Sequence, residues 1–350
     1  MTASAPVQPA ASPKRGLAFV GRMLALLAAL PVATLSVFRA VTAEWPTQLV
    51  QLLSFTPWLV LPAALALLLA LLGRRGWVIL LTSVLLAAQV FWLFPLDYGR
   101  YAPLASAGAG VSARAGRLLE LKAMNINSEF GEADAAEIVR LVSDNGIGLL
   151  TIQEHSQSLE DRLAAEGLAR LLPNRVSDPT DDGAGSAVYS VHPLQQAGVL
   201  PNTAFQIPTV RLTLEDSAGS AILDVTNVHA LPPVDGRIAQ WRSDLAAVGR
   251  LAARPGNQLL IGDFNATYDH SEFRQLLDAG ADGREMVDVG TSTGSRLLPT
   301  WPMKGPLLPG IALDHMVTSP HIQGTGYAVH RVAGTDHGAI LATLGVPETR

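Results

Sequence analysis

Eight polar side chains in the last two thirds of the chain interrupt otherwise apolar runs: Asn125, Glu154, His229, Asp263, Asn265, Asp314, Asp336 and His337. Each stands at the end of a short run of strand-forming residues, and strand ends are where convergent sites are commonly built. Singly each has an ordinary explanation, since Asp and Asn terminate strands and favour turns. As a set they point to chemistry. Carboxylate and amide oxygens are hard ligands that suit Mg²⁺, and two histidines suit proton transfer. The sequence has no cysteine, which excludes disulfides, thiolate nucleophiles and Cys-ligated zinc. A Gly-rich phosphate loop is also missing, so no competing chemistry is signalled.

The elements that must position these residues run from Leu118 onward. LLELKAMNIN reads as a strand, AAEIVRLVSDN as a helix and IGLLTIQE as the next strand, a βαβ-like opening. GSAVYSV, TVRLTL, AILDVTNVHA, NQLLIGDFNA and ALDHMVTS read as further strands. A helix over 236–253 and a shorter one near 271–277 separate them. Many strands with few helices predict packed sheets with helices outside.

These motifs resemble the endonuclease/exonuclease/phosphatase family, which includes secreted deoxyribonucleases, abasic-site endonucleases, sphingomyelinases and inositol-polyphosphate phosphatases. The resemblance runs from about Leu118 to Leu344. It rests on the Asn of KAMNIN, the QE of LLTIQE, the VH of TNVHA, the GDFN of LIGDFNA, the LDH of IALDHMVTS and TDHGAI near the C-terminus. GDFN alone is moderately specific and TDH alone is weak, but six elements in the family order make a strong signal.

The resemblance implies an α/β fold, a four-layered α/β sandwich of two packed mixed β-sheets flanked by helices. It also implies roles. Glu154 is expected as the principal metal ligand, with Asn125 and Asp336 at or near the metal, which would be Mg²⁺ or Mn²⁺. Asp263 would orient or deprotonate the attacking water, and Asn265 would bond to the phosphate or to that water. His337, oriented by Asp314, and His229 would contact the phosphate, one of them as proton donor. Asn127, two residues after Asn125 and on the same strand face, could take the Asn125 role. The carboxylate that steadies the His229 counterpart in secreted nucleases has no clear match here. His155 and His315 are expected on the opposite faces of their strands, and Asp269, His270, His192, His321 and His330 as surface groups. Trp301, in the apolar, Pro-rich LLPTWPMKGPLLPG, stacks on a base or sugar, faces lipid, or packs onto its own domain; PTWP resembles membrane-attached bacterial members of the family.

The chain as a whole is too apolar for an ordinary soluble protein. Hydrophobic residues make up 49%, charged residues 16%, and mean hydropathy is +0.27. The excess sits in the first hundred residues, in the stretches Leu17 to Phe38, Leu49 to Leu72 and Trp77 to Phe94. Each is near the about 20 residues that cross a bilayer, and several of Trp45, Trp58, Trp77, Trp92 and Tyr98 lie near their ends. A cleaved signal peptide is the competing reading of the first stretch. No small-residue cleavage site supports it, and two more spans follow.

The predicted organisation is a disordered tail over 1–16, a membrane domain with three transmembrane helices over 17–94, a linker over 95–117 and a catalytic domain over 118–350. Lys14 and Arg15 precede the first span, and Arg74 and Arg75 lie between the second and third. The positive-inside rule then puts the N-terminus in the cytoplasm and the catalytic domain outside it, at the cell membrane.

Residues 1–100 carry seven Lys/Arg and two Asp/Glu, leaving 18 and 28 for the remainder, so the parts are about +5 and −10. An acidic domain gains little from long-range attraction to a nucleic-acid backbone. The expected function is a metal-dependent hydrolase of phosphate esters. Its substrate is expected to be extracytoplasmic nucleic acid, with phospholipid or sugar phosphate as the alternative. A catalytically dead binding module would have lost Glu154, Asp263 or His337, and all three are present. No protein partner is inferred.

Overall fold

A computed structural model describes residues 13–96, 117–217, 219–305 and 309–349. Most of the predicted tail and linker lies outside them. The chain divides into two compact units, residues 1–44 with 55–95, and residues 45–54 with 96–350.

Before Pro95 the helices are α1 (Pro13–Ala40), α2 (Thr47–Leu53), α3 (Val60–Gly73) and α4 (Gly76–Leu93). Three segments are long and apolar enough to cross a membrane: Gly16–Ala40, Thr56–Gly73 and Gly76–Leu93. In the first unit most large apolar side chains of α1, α3 and α4 point outward, Leu27, Leu61 and Leu80 among them. That arrangement suits lipid rather than water. Polar contacts are turned inward, where Gln89 Nε2 donates to Ser36 Oγ at 2.8 Å and Arg39 lies over the Trp92 ring at 4.6 Å.

The second span begins at Thr56, not at Leu49. Pro57 sits in the first turn of the 3₁₀ segment Thr56–Leu59, and without an N–H it cannot continue a helix from Leu53. Residues 47–53 therefore form their own short helix, α2, which packs with the second unit. Val50 of α2 is 1% exposed in an apolar cluster with Trp241, Phe264 and Phe273. Burying a valine side chain contributes about 1.5–3 kcal/mol.

The second unit continues with β1 (Leu118–Asn127), α5 (Ala135–Asn145), β2 (Leu149–Gln153), α6 (Gln157–Ala165), α7 (Leu168–Leu171), β3 (Asn174–Asp178), β4 (Ser186–Ser190), β5 (Leu194–Val199), β6 (Pro208–Asp216) and β7 (Gly219–His229). It ends with α8 (Ile238–Ala252), β8 (Asn257–Asp263), α9 (Ser271–Asp278), β9 (Val287–Asp288), α10 (Val289–Ser292), β10 (Asp314–Thr318), β11 (Gln323–His330) and β12 (Ala339–Pro347). Two six-stranded sheets result, in the orders β11-β12-β1-β2-β4-β3 and β5-β6-β7-β8-β10-β9. Each is mixed, with one parallel pair at its centre, β1/β2 and β7/β8.

The sheets face each other across a core that includes Leu121, Val188, Leu223, Ile261 and Leu344. Helices α5 and α6 cover one outer face, and α8 and α9 the other. This is the expected four-layered α/β sandwich. Local signals set the helix ends. Asp134 caps α5 by accepting from Glu137 N–H at 2.9 Å, and Gly146 stops it in the left-handed conformation at φ 62°. Alternation along β1 gives way to burial of every residue from Ala123 to Asn127, as the strand passes between the helical layer and the second sheet.

Candidate active site

Because each sheet centres on a parallel pair, the C-terminal ends of β1, β2, β7 and β8 supply residues to one place. Asn127 ends β1, and Glu154 follows β2. His229 and Asp263 end β7 and β8 as register partners, and Asp314 opens β10 opposite Asp263. Gly262 of GDFN is required by this approach: at φ 148° a Cβ would stand 2.0 Å from the Val228 carbonyl oxygen.

Asn127 holds the two sheets' carboxylates together. Its Nδ2 donates to Glu154 Oε1 and to Asp263 Oδ2, both at 3.1 Å. Asn125, expected at the metal, lies deeper, where its Oδ1 accepts from Thr151 Oγ1 at 2.8 Å and Gln153 Nε2 at 2.6 Å. The strand-face alternative, Asn127, is thus the asparagine that joins Glu154 to Asp263. Glu154 adopts a left-handed φ of 53°, a costly conformation for this residue. Its Oε2 accepts from Phe130 N–H at 2.8 Å. Burial raises the Glu154 carboxyl, although the Asn127 and Phe130 hydrogen bonds oppose the rise.

Asp263 is buried and accepts from Asn265 N–H at 2.8 Å and from Asn265 Nδ2 at 3.2 Å. Asn265 has φ 46°; its Nδ2 also donates to Ala230 O at 2.9 Å, and its carbonyl accepts from Trp241 Nε1 at 3.1 Å. Burial, reinforced by Asp314, pushes the Asp263 carboxyl up to about 7 against the opposing pull of His337.

His337 stands between carboxylates. Nδ1 donates to Asp314 Oδ2 at 2.9 Å, while Nε2 is 3.8 Å from Asp263 Oδ2 and 4.0 Å from Asp336 Oδ1. Burial disfavours its charge, but Asp314 and Asp263 outweigh burial and hold its pKa at about 10. His229 is the opposite case. It has no carboxylate on Nδ1 and stacks on Phe205 with ring centres 4.1 Å apart. Burial, then the nearby His337 charge, lowers its pKa to about 3, so His229 is neutral. Its Nε2 is 3.8 Å from Glu154 Oε1.

Asp336 is half-buried. Its Oδ2 accepts from Trp301 Nε1 at 2.9 Å, its N–H donates to Glu129 Oε2 at 2.6 Å, and Lys304 Nζ pairs with the same Glu129 oxygen at 2.6 Å. Trp301 is half-buried, and through its hydrogen bond to Asp336 its loop reaches the site. Two threonines complete the frame. Thr300 Oγ1 accepts from Asp314 N–H at 3.1 Å. Thr335 Oγ1 accepts from His337 N–H at 3.1 Å and donates to Asn127 O at 2.7 Å.

Sequence reasoning missed Phe205 and Trp241, which lie outside the strand-end pattern, and Thr300 was within reach as the threonine of PTWP. Thr335 was within reach as the first letter of TDH. His155 and His315 turn away from the site as expected. His155 Nε2 is 3.2 Å from Glu160, and His315 Nδ1 is 3.2 Å from Asp288. Asp269 and His270 are not surface groups but are 1% exposed. Asp269 pairs with Arg296 at 2.7 Å, and His270 is held by Thr267 and Val50.

A divalent cation fits the donors present. Asp263, Asp314 and His337 each bring a ligand atom within 4.8 Å of the others. His337 Nδ1 is already engaged by Asp314.

The model of the Endonuclease/Exonuclease/phosphatase family matches residues 124–337, more than half of the chain. The chain belongs to this family, whose members are hydrolases acting on phosphoester bonds and are typically dependent on divalent metal. Truncated Caenorhabditis elegans TDP2 is similar at 14% identity and TM-score 0.49, over 65% of this chain and 98% of that one. Sphingomyelinase C from Streptomyces griseocarneus is similar at 16% identity and TM-score 0.46, over 65% and 99%. An endonuclease/exonuclease/phosphatase from Beutenbergia cavernae is similar at 16% identity and TM-score 0.45, over 65% and 72%. No curated protein matches the chain.

Proposed function

We propose that this chain is a membrane-anchored, divalent-metal-dependent phosphodiesterase, with extracytoplasmic nucleic acid as its first substrate class. The observation that carries the reading is a charged donor, His337, held beside an acceptor, Asp263, and opposite Glu154. Hydrolysis of a phosphodiester needs a general base, an acid and a charge clamp within one small volume.

Glu154 and Asp336, with Asn127 or Asp263 beside them, would hold Mg²⁺ or Mn²⁺, which would offset charge on the phosphate oxygens. Asp263, with its raised pKa, accepts the proton of the attacking water. Asn265 Nδ2 steadies Asp263 and lies close enough to orient that water. His337 Nε2 gives its proton to the leaving oxygen as the P–O bond to it breaks, while Asp314 holds the ring through Nδ1. His229 stays neutral and gives an uncharged hydrogen bond, so the site holds one imidazolium rather than two.

Phosphoesters of single lipids or sugars form the second reading. It is favoured by the acidic surroundings of the site, since residues 101–350 carry 18 Lys/Arg against 28 Asp/Glu. A long polyanion gains little from such a site.

The three apolar segments support a bilayer anchor. Basic residues before the first and between the second and third support a cytoplasmic N-terminus with the second unit outside the cytoplasm. The docking of residues 45–54 within the second unit supports the same parity, because a segment joining the first two spans must share a side with the domain it packs into.

The test is the full-length protein in detergent, given bis(4-nitrophenyl) phosphate, a single-stranded oligonucleotide, sphingomyelin or a phosphoinositide. Mg²⁺-dependent turnover abolished by EDTA is expected on the chromogenic diester and on the oligonucleotide. Turnover of lipid alone selects the second reading, and no turnover with either Mg²⁺ or Mn²⁺ overturns both.

A further inference from the structure

Residues 45–54 join two membrane spans, yet they are built into the catalytic unit. Val50 and Leu53 are buried, and Val50 lies against the cluster formed on α8, β8 and α9. Three polar ties fix the backbone. Arg242 Nη2 donates to Trp45 O at 2.6 Å, Gln51 Nε2 donates to Pro233 O at 3.0 Å, and His270 Nε2 meets Val50 O at 2.9 Å.

The His270 contact has a defined direction. Its Nδ1 accepts from Thr267 N–H at 2.8 Å, which puts the proton on Nε2 and makes that nitrogen the donor to Val50 O. Val50 O is one of the last four carbonyls of α2, which no intrahelical N–H can satisfy, and Ser54 N–H goes to Gln51 O instead. His270 therefore completes α2, and α2 in turn holds the His270 ring.

That ring braces the catalytic loop. It packs edge-on against Trp241 with centres 5.4 Å apart, and Trp241 Nε1 donates to Asn265 O at 3.1 Å. Asn265, in its left-handed conformation, bonds Asp263 through both its backbone and its side-chain nitrogen. From Val50 to Asp263 the path has four contacts, each between buried or half-buried groups.

We propose that the segment Trp45–Ser54 is a positioning element of the active site: by docking Val50 on His270 it holds the backbone of Asn265, and through it Asp263, in register with Glu154. This rests on the assignment of Asp263 and Asn265 to the reaction. A segment that lies between two apolar helices in the sequence then takes part in building the active site.

The experiment uses the full-length protein in detergent with Val50→Asp, Val50→Ala and Val50→Ile, read by hydrogen exchange and by kinetics. Val50→Asp is expected to speed exchange in the peptide spanning 264–270 and leave β2 protected. It should lower kcat by about 10²-fold, the scale of a small misplacement at a reacting group, with a smaller change in KM. Val50→Ala, if Val50→Asp fails to accumulate, should show the same pattern at smaller size, and Val50→Ile should match the wild type. Combined with Asn265→Ala, the Val50 substitution should add little further loss, because both act on one group. Equal loss of protection in β2, or multiplicative loss in the double variant, would reduce the segment to general stability and overturn the proposal. Unchanged exchange and unchanged kcat would also overturn it. Full activity in Asp263→Asn would instead remove the catalytic assignment, leaving the exchange result to decide whether the segment braces the loop.

Discussion

Asp314 and His337 lie 23 positions apart, on different elements, and their side chains meet at 2.9 Å inside the folded domain. The carboxylate accepts the Nδ1–H hydrogen bond, so Nε2 is left facing Asp263 and Asp336. Neither group is a surface residue, with Asp314 at 0% and His337 at 7% exposure.

Because the two act as one donor, His337→Ala and Asp314→Ala should each lower kcat by about 10²–10⁴-fold, the usual scale of a proton-transfer group. The double variant should be far less impaired than the product of the single losses. Steady-state kinetics on a chromogenic diester checks this; multiplicative losses would show that the residues act separately.

Glu154→Gln keeps the side chain's size and its acceptor toward Phe130 but removes a charged oxygen ligand. Turnover should fall by at least about 10²-fold. The melting temperature without metal should change little. The rise in melting temperature on adding Mg²⁺ should shrink, because a ligand stabilises only in proportion to its occupancy. An undiminished Mg²⁺ shift would remove Glu154 from the metal site.

Trp301→Phe keeps an aromatic ring and deletes the N–H that meets Asp336 Oδ2 at 2.9 Å. If that hydrogen bond orients a metal-binding carboxylate, Mg²⁺ affinity should weaken by about 10–100-fold. Titration of the protein by calorimetry without substrate reads this directly. Unchanged affinity would assign Trp301 to loop packing alone.

The His315–Asp288 pair predicts a pH window for stability. Burial opposes the charge on His315, yet Asp288 outweighs it and leaves the His315 pKa raised. Its contribution is thus full below its unfolded value of about 6.5 and is lost as pH rises through the folded value. Asp288 is lowered despite burial, through His315 and its bonds to Thr291. Its contribution is present above about 3.9 and is lost as pH falls through the folded value. Thermal melts should therefore show a plateau between about 3.9 and about 6.5, with limbs that fall toward the folded values on either side. His315→Gln should cost about 3–5 kcal/mol inside it, as for a broken buried pair, and should flatten the alkaline limb. An alkaline limb unchanged in His315→Gln would show that another group sets it.

Much of this architecture was legible because apolar periodicity and strand-end polar residues are local signals. β1 and α5 have the bounds that LLELKAMNIN and AAEIVRLVSDN predict. Whether Asn125 or Asn127 faces the carboxylates was not legible, since both share one strand face and only the second sheet decides which depth is the site. Asp269 and His270 resemble loop polar residues until Arg296 and Val50, both far off in sequence, cover them. α2 was hidden in an apolar run that hydropathy averages into one span, and Pro57 was the sole local mark of the break. β3, β5 and β11 were overlooked because edge strands carry few apolar residues, and their burial patterns are mostly exposed or half-buried; the two-residue β9 and the buried β12, paired with β1 and β11, were overlooked as well.

Val50 and His270, which meet through a carbonyl and an imidazole, are 220 positions apart. A ribosome working at about 5–20 residues per second makes the first of them tens of seconds before the second. During that interval Val50 and Leu53 have nothing of their own domain to cover them. Segment 45–54 therefore enters its groove only after α8, β8 and α9 have formed, which makes its docking a late event in biogenesis. A nascent chain stalled before residue 238 would carry Val50 and Leu53 uncovered between its first two long apolar helices.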